Sequence, residues 1–433
     1  MVRGTIGALA VKITGAAVLF GLHVLLARLL GVGEYGIYVY AIAWINILVL
    51  TVTLGFHTSL IRFISAYRAK QEWGLMRGLL RYSNLIVLIS SIAAAIIGVI
   101  VISLLKNRIS PEQRHTFYIA FLLLPIFAFV KLREAGLRAL KNVVKSQLLL
   151  NIIRPLMLAI ISLGLFFFIP ANINASWIMV GNLAALIGVF IIGSIWLSKS
   201  LPINVRDKPS MYRQKAWLKV SLPLLFIVGM GLLLKRTDII MLGAIRGSED
   251  AGFYSAATHI SNFLAFGLIA VNTILAPMIA ELYHTRKYKE LQRIILLAAR
   301  GIFLFTALVG ILLIVSGKYL LSFFGKDFVI AYIPLLVLLG GRIVCSLAGP
   351  VGFLLTMTDN QNQAGVIVAS GATINIILNA LLIPPMGAVG AAISTAFSMT
   401  VFDIVMFIYV LRKLNINPTI LNIAYLLKKS FSD

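Results

Sequence analysis

Only 14 of the 433 residues are acidic and only one is cysteine. A single thiol, Cys345, excludes a disulfide within the chain and a cysteine-based metal cluster, and its place inside an apolar run assigns it to packing. Long polar stretches are also missing. No segment between apolar runs exceeds about 20 residues, so a separate catalytic or nucleotide-binding domain has no place to sit. The G-x-x-x-x-G-K-[ST] phosphate loop is absent, which argues against direct ATP hydrolysis. Neither a metal-spaced His or carboxylate cluster nor a Ser/His/Asp set on loops occurs, so no metal, no cofactor and no chemistry on a substrate is expected.

What the chain has instead is apolar length. Hydrophobic residues make up 60% of it, charged residues 12%, and the mean hydropathy is +1.00; soluble domains are roughly half apolar and a quarter charged. This composition predicts an all-α polytopic membrane protein. Because about 20 apolar helical residues cross the hydrocarbon core, the runs are counted as spans. There are twelve, at 4–28, 35–57, 79–105, 116–139, 147–169, 175–197, 217–243, 252–280, 293–316, 328–356, 363–384 and 387–411. The first begins after Arg3 as a signal peptide does, but it is too long, carries Lys12 and lacks a small-x-small cleavage pattern, so it is read as a retained helix.

The net charge of +24 invites a nucleic-acid partner, but the placement of the basic residues argues otherwise. With a cytoplasmic N-terminus, the inner segments hold 25 Lys and Arg and the outer loops 7. The positive-inside bias accounts for most of the charge and sets both termini in the cytoplasm of a cell-membrane protein.

Shifted by 216 residues, the sequence meets itself. Gly31 falls on Gly247, Gly36 on Gly252, Tyr38 on Tyr254, Ala41 on Ala257 and Asn46 on Asn262. The register continues without a gap through Tyr67/Tyr283, Leu75/Leu291 and Arg77/Arg293, and Gly136/Gly352 and Gln147/Gln363 still fit. Two six-helix lobes are therefore expected, 1–197 and 217–411, with a cytoplasmic linker over 198–216 and a cytoplasmic tail over 412–433. Six is even, so both lobes begin on the same side of the membrane, as in transporters built from parallel repeats, and a cavity is expected between them.

The stretches "LARLLGVGEYGIYVYA", "RTDIIMLGAIRGSEDAGFYSAA" and "LLTMTDNQNQAG", together with the twelve spans and the repeat, resemble the oligosaccharide flippases (polysaccharide transporters) of the multidrug/oligosaccharidyl-lipid/polysaccharide superfamily. The resemblance covers nearly the whole chain. It implies the two-lobed superfamily fold and the movement of undecaprenyl-diphosphate-linked sugar units to the outer leaflet for O-antigen, capsule or exopolysaccharide assembly. It also implies work beside glycosyltransferases and a polysaccharide polymerase.

Six cations lie within the spans: Lys12, Arg154, Lys235, Arg236, Arg300 and Arg342. At a helix centre each costs about 2.5–3.5 kcal/mol on insertion scales, so each is expected to face water, a partner or a ligand. All six, with His23, are candidate substrate-binding residues. Arg154 and Arg300 are two turns inside the cytoplasmic ends of their helices, where snorkelling is the competing role. Lys12 and His23 share a stripe of the first helix, as a cavity wall or as a snorkelling lysine and a packed histidine. Arg342, at the middle of the tenth span, binds cargo or a helix carbonyl. Lys235 and Asp238, three apart, are expected to form an ion pair, with Arg236 left over for a structural bridge or an anionic headgroup. Asp238, His259 and Asp403 are the candidates for coupling, since buried carboxylates and imidazoles respond readily to protons.

A cation-coupled multidrug exporter of the same superfamily is the nearest rival function. It calls for an early membrane carboxylate, and residues 5–33 contain none. A peptidoglycan-precursor flippase resembles a fourteen-helix chain rather than a twelve-helix one. A membrane-embedded glycan polymerase needs a large outer loop, and the longest here is about ten residues.

Overall fold

The computed structural model describes residues 2–168 and 173–419. Most of the expected tail and of the loop at 170–174 lie outside them, as does the side chain of Arg3. The elements are α1 (Val2–Val52), α2 (Phe56–Ala69), α3 (Trp73–Leu104), α4 (Pro111–Ala139), α5 (Val143–Leu148), α6 (Arg154–Phe168), α7 (Ala175–Ser200), α8 (Asn204–Asp207), α9 (Gln214–Ile245), α10 (Ser248–Ser261), α11 (Ala265–His284), α12 (Tyr288–Ser322), α13 (Tyr332–Leu347), α14 (Val351–Met357) and α15 (Gln361–Leu414). No strand occurs among the described residues.

Among the described residues, nine helices are long and apolar enough to cross a membrane. Two of these, Ala10–Val52 with 43 residues and Gln361–Leu414 with 54, are about twice the length of one crossing. Each is two helices meeting at a glycine with non-helical torsions, Gly31 in α1 and Gly387 in α15. A further crossing, α10 with α11, is interrupted by a 3-10 turn at Asn262–Leu264. Resolving these breaks gives the twelve spans. The second span differs from expectation at its inner end: the chain turns at Thr53–Gly55 and continues as α2 through residues 62–69, which the hydropathy profile leaves as loop.

Two compact units result, Met1–Arg236 and Thr237–Asp433. The division falls inside α9, because the start of that helix is built into the first unit. Trp217 is fully buried and its indole donates to the Tyr67 hydroxyl at 2.8 Å. Ser221 and Ser59 hydroxyls meet at 2.6 Å, and Gly55 lies so near the Ser221 carbonyl that a Cβ there would sit 2.0 Å from it. The preceding segment is also held: Met211 N–H donates to the Gly74 carbonyl at 2.9 Å and Arg77 donates to that of Lys208 at 2.7 Å.

The repeat is written in the backbone. Gly31 (φ 70°, ψ 179°) and Gly247 (φ 103°, ψ 171°) share a conformation essentially confined to glycine, and they are 216 residues apart. Two more left-handed stops recur, Gln71 with Arg286 and Lys141 with Asp359, but at separations of 215 and 218. The single ungapped register is therefore corrected: turns between helices have gained and lost residues, while the stops themselves were retained.

Acidic residues at matching positions in the two units sit at the starts of their last helices. Glu34 accepts from the Ala175 N–H at 2.6 Å, at the first turn of α7. Asp250, 216 residues later, lies beside Gly387, where the last span begins. A carboxylate at a helix N-terminus satisfies orphan N–H groups and opposes the helix dipole.

Candidate functional site

In the second unit one carboxylate is surrounded by neutral donors. Asp238 on α9 is 3% exposed. Its Oδ2 accepts from the Tyr254 hydroxyl of α10 at 2.6 Å and from the Thr395 hydroxyl of α15 at 2.5 Å, and its Oδ1 accepts from the Asn379 amide at 2.7 Å. Asn379 also donates to the Asn375 carbonyl at 3.1 Å, and its own carbonyl oxygen has no partner. The expected Lys235–Asp238 ion pair does not form. The four ion pairs among the described residues lie elsewhere, because three neutral donors already fill the carboxylate and Lys235 is exposed.

The first unit has a polar centre of its own, built around a charge of the opposite sign. Here the charge belongs to Arg154, and a local irregularity places it. Pro155 has no N–H to continue the α pattern and its ring crowds the carbonyl four residues earlier. The chain widens into a π turn at Leu149–Ile153, with the Arg154 N–H reaching back to the Leu149 carbonyl. Such turns recur at functional sites. Gly15 of α1 lets the first helix press on this turn, since a Cβ there would be 2.9 Å from the Asn151 carbonyl. Arg154 Nε and Nη2 donate to Asn182 Oδ1 at 3.4 and 3.2 Å, and its guanidinium lies 4.5 Å from the centre of the Phe127 ring. Snorkelling is thus corrected for Arg154: the side chain is half-buried and held by α4 and α7. Tyr38, the repeat partner of Tyr254, is buried beside it.

The other predicted residues fall into separate places. Arg236 is half-buried within the field of Arg154, and its Nε is buried without an acceptor. His23 meets the Tyr35 hydroxyl at 3.0 Å, a packed arrangement. Lys12 and Arg300 are exposed. Arg342 in α13 donates to Asn262 Oδ1 at 2.7 Å, a side chain rather than a helix carbonyl. Asp403 lies half-buried against Cys345, and His259 is half-buried on α10. The structure therefore holds Arg154 against Asn182 and Phe127 and sets Asp238 among amides and hydroxyls. Among the described residues no three His, Cys, Asp or Glu side chains meet as a metal site requires.

Sequence reasoning missed Asn182, Asn375, Asn379, Thr395 and Phe127. An inventory of ionisable groups passes over amides, yet an asparagine inside a span is itself a polar group that must find a partner. The Tyr38/Tyr254 and Asn46/Asn262 matches were the available signal, since three of these four side chains border the two centres or Arg342.

Residues 1–283 match the sequence profile of the family described as "Polysaccharide biosynthesis protein". The "Probable low-salt glycan biosynthesis flippase Agl15" of Haloferax volcanii is 23% identical over 410 residues, spanning 93% of this chain and 81% of that protein. The "Probable flippase AglR" of the same organism is 31% identical over 175 residues, 39% of this chain and 36% of that one. Among solved structures, the chain resembles an inward-facing multidrug resistance MATE family transporter of the MOP superfamily, with a TM-score of 0.75, 14% identity and coverage of 95% and 98%. It also resembles the lipid II flippase MurJ in an inward closed conformation, with a TM-score of 0.71, 16% identity and coverage of 95% and 87%.

Proposed function

The chain belongs to the polysaccharide biosynthesis protein family, whose members are transporters rather than enzymes, and we propose that it flips lipid-linked oligosaccharides across the cell membrane. The observation that carries this is a charge imbalance. Arg154, Arg236 and Arg342 lie within spans, and none has a carboxylate partner among the described residues. Unneutralised cations in a bilayer are costly unless an anion visits them, and guanidinium matches phosphate oxygens in geometry and charge. A polyprenyl phosphate headgroup, undecaprenyl diphosphate in the reading taken from the family resemblance, supplies that anion while its tail remains in lipid. Lys12, Lys235 and Arg300 extend the basic path.

Alternating access of the two units carries the headgroup outward, with both termini cytoplasmic. Asp238 is the foremost candidate for coupling to a proton or monovalent cation, ahead of His259 and Asp403, because it is a buried carboxylate that forms no ion pair among the described residues. Glycosyltransferases that build the unit and a polymerase that extends it are the expected partners. The multidrug exporter is disfavoured by Glu34, the first acidic residue, which is occupied in capping α7.

The test is translocation in proteoliposomes carrying the purified chain and a fluorescent lipid-linked oligosaccharide. Protein-dependent exposure of the sugar in the opposite leaflet is expected. Extrusion of cationic dyes with no movement of the lipid-linked sugar would transfer the chain to the exporters.

A further inference from the structure

The segment that joins the sixth span to the seventh is not slack. Its backbone lies on the first turns of α3, where the Gly74 carbonyl accepts from the Met211 N–H and Arg77 donates to the Lys208 carbonyl. Gly74 and Gly78, one turn apart, floor this seat, since a Cβ on either would collide with the carbonyl of Pro209 or of Met211. Pinned in this way, the segment holds apolar tips in the open: Met211 is 58% exposed and Tyr212 51%. Exposed cations stand around them, Lys208, Arg213, Lys215 and Lys219, and Asp207 is the one acid between residues 198 and 219.

The depth of the seat decides what the tips meet. α3 has 32 residues, so at about 1.5 Å per residue it is about 48 Å long, and a bilayer with both headgroup layers is about 40–45 Å thick. With the apolar middle of α3 centred in lipid, its first turns stand among the headgroups. The positive-inside bias accounts for cations near a span end. It does not account for a fixed backbone that holds a methionine and a tyrosine half uncovered among those cations. Apolar and aromatic tips interleaved with Lys and Arg are the composition of a segment that lies in the interface of a membrane with negative headgroups. We propose that residues 208–219, seated on α3, form a headgroup-level platform that binds anionic phospholipids: Met211 and Tyr212 enter the headgroup layer and the cations meet its negative charge. Tyr212 also meets Trp217 edge-on, 6.5 Å between ring centres, and the Trp217 indole donates to Tyr67. A lipid bound here rests against the seat of α9 in the first unit. The platform is independent of what the chain transports.

For the test, the full chain carries Met211→Cys in a Cys345→Ala background, with a bimane label on the new thiol. It is placed in phosphatidylcholine nanodiscs that contain an equal minor share of either brominated phosphatidylglycerol or brominated phosphatidylcholine. The anionic lipid is expected to quench the label about twofold more strongly than the zwitterionic one, and high salt should shrink the difference. Adding Lys208→Gln, Arg213→Gln and Lys215→Gln together should abolish the preference. All three side chains are exposed, so this variant should melt at the temperature of its parent. Equal quenching of the parent by the two lipids overturns the platform, because a merely solvated basic loop beside the membrane would give it. Absence of quenching by either also overturns it and leaves the exposed tips to a water-soluble partner. A preference that survives the triple replacement in a folded protein places the lipid on other groups and is equally fatal.

Discussion

At the scale of single residues, Asp238 and Arg154 give the two units charges of opposite sign within the spans, at positions that the 216-residue repeat does not pair. Burying an unpaired carboxylate costs far more than burying a hydroxyl, and three donors from three helix segments offset only part of it. A group held at that cost can be retained for what it exchanges with solvent ions. Asn at position 238 keeps the shape and one acceptor while removing the charge. Asp238→Asn is therefore expected to retain thermal stability to within about 1–3 kcal/mol, the scale of one altered buried hydrogen bond. Its flipping activity should no longer respond to an imposed proton or sodium gradient, measured in proteoliposomes. A response equal to that of wild type would remove Asp238 from coupling, and the same assay on His259→Ala and Asp403→Asn ranks the other two. Which charges exist inside the spans was legible in the sequence. Which neighbours they meet was not. Depth along a helix made Arg154 resemble a snorkelling residue, and only the π turn at Leu149–Ile153 and the ring of Phe127 turn it inward.

At the scale of elements, the long spans were legible because lipid leaves a spanning backbone no alternative to the helix. The breaks were legible only as repeated glycines. Gly31 and Gly247 have torsions that L-residues avoid, yet a Cβ at either would touch nothing within 4 Å. Their requirement is conformational and not spatial. Alanine at either position is expected to lower stability by about 1–3 kcal/mol, seen as a lower melting temperature of the detergent-solubilised protein. Gly164, helical and equally uncrowded, supplies the control: Gly164→Ala should be neutral or stabilise by up to about 1 kcal/mol, since alanine suits a helix better. Equal effects at all three sites would show that the breaks are not held by glycine torsions. The repeat was legible in its spacing but not in its drift. Insertions of a residue or two fall in turns such as Lys141 and Asp359, where no apolar pattern records them.

At the scale of the whole molecule, orientation in the membrane follows from charge placed outside the helices, a property that hydrogen bonds and packing do not report. With the proposed cytoplasmic N-terminus the inner segments carry 25 basic residues against 7 outside, and Lys and Arg near span ends bias topology in that direction. Twelve is even, so one measurement at each surface decides the orientation of the chain. On the proposed orientation, Asn107, exposed in the turn after α3, falls in an outer loop, and Asn204, exposed at the start of α8, in the inner segment between the sixth and seventh spans. Both tolerate replacement because neither side chain is buried, and Cys345→Ala removes the native thiol. In that background, an impermeant maleimide applied to intact cells is expected to label a cysteine at 107 and to spare one at 204. Inverted vesicles should show the opposite. A cysteine at 204 that reacts from outside the cell would reverse the proposed orientation and place the more basic set of connecting segments on the outer side of the membrane.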